Sequence, residues 1–159
     1  MSQKTLSVWL RVIAGFIAVA GSLVFLAAVP SVIDDLALTA PSHAVVAALA
    51  KTAVLAAVVP FLVAVTEFYL ICMRIGQDRS FSLLNIRALG VIGYMAIIDT
   101  AIIFAVFVLL TATSVISAAA VLVSIVIMLL GVLIAVAAFT LSHLVLKAYR
   151  LKEDNDLTV

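Results

Sequence analysis

The chain has 159 residues, of which 67% are hydrophobic and 11% charged, with a formal net charge of +1 at pH 7 and a mean hydropathy of +1.43. Soluble domains are about 45–50% apolar and about 25% charged. This chain lacks the polar surface to cover a water-soluble core, and its balanced charge excludes attraction to nucleic acid as a basis for function. It is expected to be one compact all-α unit, an integral membrane four-helix bundle. The single Cys72 leaves no internal disulfide to form and reads as a small core hydrophobe near a helix end.

A helix needs about 20 mostly apolar residues to cross the hydrocarbon. Val12 to Val29 is an uncharged run between Arg11 and Pro30, and the spacing predicts a first helix over roughly 8–29. Its apolar stretch is longer than that of a cleaved signal peptide, and the triplet Ala18-Val19-Ala20 falls within the run rather than after it. The first span is therefore expected to stay. On the far side, PSVIDDLALTAPSHAVV sets Val32, Ile33, Leu36 and Ala37 at helical spacing against Asp34 and Asp35, as in a short helix lying on the membrane surface. Asp34, Asp35 and His43 together would be a weak cation contact.

The second helix is predicted over roughly 49–74, broken in its apolar pattern by Glu67 and Pro60. The third begins after Arg87, over roughly 85–110. From Thr100 to Ser142 no charged residue occurs, too long a run for one span. Thr111, Thr113, Ser114 and Ser117 mark a tight turn there, so a fourth helix is expected over roughly 117–143, followed by a tail over 144–159. Small residues recur every four positions at Ala14, Ala18 and Ser22, at Ala53 and Ala57, and at Gly131 and Ala135. Such stripes let helices approach closely in lipid, within one chain or in a homo-oligomer.

Three polar residues fall inside spans. Arg11 lies seven residues after Lys4 and Glu67 seven before Arg74, each about 10 Å in from its basic marker. Equal depth and opposite charge suggest an ion pair. Asp99 lies twelve residues past Arg87, about 18 Å along the helix and near the bilayer centre. On its own face stand Ile92, Met95, Ala96, Ile102, Ile103 and Val106, none of them a partner. Pro60 frees a backbone carbonyl near Ala56, and a neutral, protonated Asp99 donating to it would tie the two helices. The competing reading is a role in proton or ion movement.

No nucleophile–base arrangement, phosphate-cradling glycine loop or paired-histidine metal helix is present. The two histidines, His43 and His143, are expected on opposite sides of the membrane. Neither a catalytic site, a metal site nor a cofactor is predicted.

The loop RIGQDRSFSLLNIRALGVIG and the tail LKAYRLKEDNDLTV carry a resemblance. Gly76, Phe81, Asn85, Arg87, Leu89, Ile92 and Gly93 in the first, and Glu153, Asp154, Asn155, Asp156, Leu157, Thr158 and Val159 in the second, are similar to the YoaS-like bacterial membrane proteins, a four-span family of unknown function. Ser80, Leu84 and Ala148 depart from the usual pattern. The resemblance implies a bacterial cytoplasmic membrane protein without enzymatic activity. It is expected to be a sensor or tether acting with a small cytoplasmic helix-turn-helix DNA-binding regulator. The docking surface would combine Phe81, Asn85 and Arg87 with Glu153, Asp154, Asp156, Leu157 and Val159. A transport or ion-conducting bundle and an immunity-like membrane protein are the alternatives.

Of the nine basic residues, only Lys51 falls on the side opposite both termini. Basic residues stay cytoplasmic, so both ends are expected inside. Alkaline phosphatase fused after Val159 should be inactive and a fluorescent protein there should fluoresce. The opposite pair of readings overturns this orientation.

Overall fold

A computed structural model describes residues 3–31, 33–34, 41–77, 82–113 and 116–156. Four long helices account for nearly all of them. Helix α1 runs over Gln3–Leu23 and continues through a π-helical turn, Val24–Ala28, to Ser31. The widened turn has a local cause. Pro30 lacks an N–H and its ring crowds the carbonyl four residues back, so the chain loosens ahead of it, with Val29 N–H reaching Val24 O. Helix α2 is Ala44–Ile75, entered through a 3₁₀ turn at Pro41–His43; α3 is Leu83–Ala112 and α4 is Ala118–Asp156.

All four helices are long and apolar enough to cross a membrane. Their outward faces hold large hydrophobes such as Phe16, Leu122 and Leu133. Only hydrocarbon accommodates so continuous an apolar surface, and the chain is a multi-pass membrane protein. Most threonine hydroxyls on these helices are satisfied within their own helix, as suits a waterless medium. Thr52, Thr66, Thr100, Thr111 and Thr140 each donate to the carbonyl four residues back at 2.7–2.8 Å. That is why Thr111 extends α3 instead of ending it. Helix α3 ends at Ala112 with Thr113 as its C-terminal cap, and Ser117 caps α4 by accepting from Ala120 N–H at 3.2 Å.

Among the described residues, backbones approach one another only between chain neighbours: α1 with α2, α2 with α3, and α3 with α4. The α1–α2 contact rests on Ser7, whose Oγ donates to Cys72 O at 2.7 Å. Gly76 makes room for it; a Cβ there would stand 2.6 Å from Ser7 Oγ. Farther along, the rings of Phe25 and Phe61 meet at a tilt of 44° with centroids 5.4 Å apart. The α2–α3 seam has two buried clusters. One joins Ala47, Ala50 and Val54 of α2 to Val106 and Leu110 of α3, with Ile33. The other joins Ile71 to Ala88 and Ile92, with Ala138 of α4. The α3–α4 contact is closest at Gly131, where a Cβ would collide with Thr100 Oγ1, and Tyr94 meets Phe139 edge-on at 5.2 Å. Ala14, Ala57 and Ala135 are all buried, so each of the three small-residue stripes supplies part of an interface.

The expected tail is a correction. The chain after His143 is not separate from the fourth helix, which continues to Asp156. No glycine or proline interrupts Leu144 to Asp156, and its leucine, lysine, arginine and glutamate residues favour helix. At 39 residues, α4 is about 58 Å long against about 30 Å of hydrocarbon. It must leave the membrane as a helix. The surface helix expected around Val32–Ala37 falls mostly outside the described residues.

The glycine contacts yield a stability test in detergent. Replacing Gly131 by Val should destabilise the protein by about 1–3 kcal/mol through overpacking against Thr100. Gly90→Ala, whose added Cβ meets nothing within 4 Å, should instead be neutral or stabilise by up to about 1 kcal/mol. Thermal unfolding of both variants beside the parent checks the contrast.

Candidate functional site

The four helices alternate in direction, and the contacts between them gather the charges. Ser7 meets Cys72, Arg74 meets Asn85, and Ser142 donates to Ile86 O at 2.9 Å. The start of α1, the end of α2, the start of α3 and the outer part of α4 therefore share one end. Lys4, Arg11, Arg74, Arg87, Lys147, Arg150 and Lys152 all belong to that basic end, and Lys51 to the other.

Arg11 and Glu67 do not pair. Arg11 Nε donates to Ser7 O of its own helix at 3.2 Å, and among the described residues the one ion pair is Lys51–Asp34. The physical reason is proximity: a carbonyl one turn back lies within reach of the arginine without a second helix having to supply a charge. Glu67 is half-buried on α2. Lys51 Nζ holds both oxygens of Asp34, at 2.8 and 2.6 Å, tying the end of the first span to α2. Asp34 is thus committed to a lysine rather than offered to a cation with His43, and Asp35 lies outside the described residues.

Asp99 occupies the middle of the α2–α3 seam. It lies seven residues from Ile92 and seven from Val106, hence on the same face of α3, and these two residues belong to the two separate core clusters. On the antiparallel α2, the corresponding gap between Val54 and Ile71 contains the buried Pro60. The carboxyl and the proline thus come to one level, as their sequence positions suggest. The expected tie is not made at Oδ1, which is buried without a hydrogen-bond partner among the described residues. A buried acceptor left unpaired costs about 1–3 kcal/mol. An unpaired Oδ1 would therefore weaken the seam at this level.

At the basic end the expected docking residues separate. Arg87 and Glu153 are exposed. Asp154 and Asp156 lie on the final turns of α4, while Phe81, Leu157 and Val159 lie outside the described residues. Asn85 is a correction: it is only 2% exposed and is no docking residue. Its Oδ1 accepts from Arg74 Nη1 at 3.3 Å, and its backbone N–H is received by Ser82, which caps α3. A position three residues into a helix and facing the neighbouring helix is buried, whatever its polarity. Sequence reasoning missed the bonding roles of Ser7, Arg74 and Ser142. The available signal was their shared position near helix ends, where a hydroxyl or guanidinium meets a neighbouring carbonyl.

A family model described as a protein of unknown function, DUF2975, matches residues 31–159, from the end of the first span through α4. No curated protein and no solved structure matches the chain.

The unpaired carboxyl has a measurable consequence. Asp99→Leu should unfold in detergent at the same or a higher temperature than the parent, because an apolar side chain of similar size removes the buried unpaired oxygen. A loss of several degrees in that variant would mean that Asp99 has a partner holding the seam together.

Proposed function

The chain belongs to the DUF2975 family, and we propose that it is a non-enzymatic tether in a bacterial cytoplasmic membrane, presenting its basic end to a cytoplasmic regulator. One observation carries this reading. Ser142 is level with Ile86, so α3 ends three residues farther on at Leu83, whereas α4 continues for fourteen to Asp156. The last turns of α4 stand about 16 Å clear of α3. Basic Lys147, Arg150 and Lys152 sit where anionic headgroups attract them, and Glu153, Asp154 and Asp156 beyond them are repelled from that surface. The result is an arm held away from the lipid, ending in an acidic turn. The YoaS-like resemblance supplies the class of partner, a small helix-turn-helix DNA-binding protein with basic surface of its own. The protein itself contacts no nucleic acid in this scheme.

A second reading follows from the unpaired Oδ1 of Asp99: a small transport or ion-conducting bundle, in which a carboxyl that costs stability is retained because it takes up a proton or cation. The first reading places function at the basic end of the molecule and the second at the middle of the α2–α3 seam. In-membrane crosslinking followed by mass spectrometry, comparing the full chain with one ending at Leu151, separates them. Capture of a DNA-binding protein by the full chain alone is the expected result. If both forms capture only themselves, the tether reading fails, and proton flux through vesicles holding the parent or Asp99→Asn becomes the deciding measurement.

A further inference from the structure

We propose that the groove running over α3 at the basic end binds one anionic phospholipid, an acyl chain lying in the groove and the phosphate resting on Arg74. The groove encloses about 310 Å³. Phe68 and Ile71 of α2 form one wall, Leu141 and Val145 of α4 the other, and Leu89 and Asn85 of α3 the floor. It exists because the backbones of α2 and α4 both approach α3 but, among the described residues, not each other, leaving a furrow between them. Along α2 it extends from Ile75 to Phe68, about 10 Å into the hydrocarbon.

The polarity of this furrow is graded like a lipid. Its inner part is apolar, and its one polar lining residue, Asn85, marks the basic end. There Arg74 is anchored through Nη1 alone, to Asn85 Oδ1 at 3.3 Å and Leu84 O at 3.5 Å. Its Nη2 and Nε make no hydrogen bond to any described residue. A guanidinium held by one nitrogen, with the rest of its planar fork open at headgroup depth, matches a phosphate in charge and geometry. Basic pockets between membrane helices on the cytoplasmic side select anionic headgroups for this reason.

Position and charge favour a lipid: the furrow is lined almost wholly by apolar side chains, which suit an acyl chain, and Arg74 at its basic end stands where the phosphates of anionic lipids lie. The inference is independent of the tether reading, since it concerns a ligand within the membrane rather than a partner beyond it.

The test is native mass spectrometry of the full chain, released from detergent after equilibration with equal amounts of phosphatidylglycerol and phosphatidylcholine. One phosphatidylglycerol should be retained per chain, preferred about fivefold, the weight of one basic residue at an anionic surface. Arg74→Ala should lose the preference, Arg74→Lys should keep part of it, and Arg150→Ala should keep all of it. Leu89→Trp, which fills the floor, should retain neither lipid. If the Arg74 variants fail to fold, raising the salt on the unaltered chain decides instead: the preference should fall. Equal retention of both lipids by the unaltered chain, a preference that survives Arg74→Ala or high salt, or a chain dimer in place of the lipid adduct would each overturn the proposal.

Discussion

Inside hydrocarbon no water is available to satisfy a backbone N–H or C=O, and each group left open costs several kcal/mol. Everything else in this molecule follows from that constraint. It forces four continuous helices and returns most threonine hydroxyls to the carbonyl a turn back. It also makes the two prolines inside spans consequential. Pro30 is answered by a π-helical turn, whereas Pro60 falls within α2, opposite the level of Asp99.

Because lipid tails are as apolar as leucine, burial alone gives helices little reason to meet. Close fit and a few polar bonds do that work, and here the bonds are unevenly placed. Ser7 to Cys72, Arg74 to Asn85 and Ser142 to Ile86 all lie at the basic end; such bonds contribute about 0.6 kcal/mol each in membranes. At the opposite end Lys51 and Asp34 make the ion pair. Between them the α2–α3 seam divides into two clusters, with a carboxyl oxygen unsatisfied in the gap. The interhelical polar bonds thus lie toward the two ends of the bundle.

The same unevenness organises the surfaces. Packing in chain order leaves α4 supported along one side only, so its outer turns extend past the others as an arm, and it leaves a furrow over α3. Both features open at the end where seven of the described basic residues collect. A lipid phosphate, a projecting helix and a cluster of positive charge are compatible in one place, since the headgroups that attract Lys147 and Arg150 also set the depth at which the arm leaves the membrane.

Much of this architecture was legible in the sequence. Helix number, span order, the shared end of the basic residues and the interfacial Ala14, Ala57 and Ala135 all follow from hydropathy and spacing, because length against bilayer thickness and small residues against close approach are local requirements. The projecting end of α4 was also written locally, in the absence of a breaker between Leu144 and Asp156, although the change from apolar to charged residues disguised it as a tail. What the sequence could not determine is partner choice. Arg11 and Glu67 have matched depths, yet Arg11 turns to its own helix; Asn85 reads as an exposed polar residue, yet packing buries it on Arg74; Asp99 reads as a tie between helices, yet its Oδ1 has no hydrogen-bond partner among the described residues. Each of these depends on how neighbouring helices rotate about their axes, and that rotation is set by the sum of many side-chain contacts, which only the tertiary structure resolves.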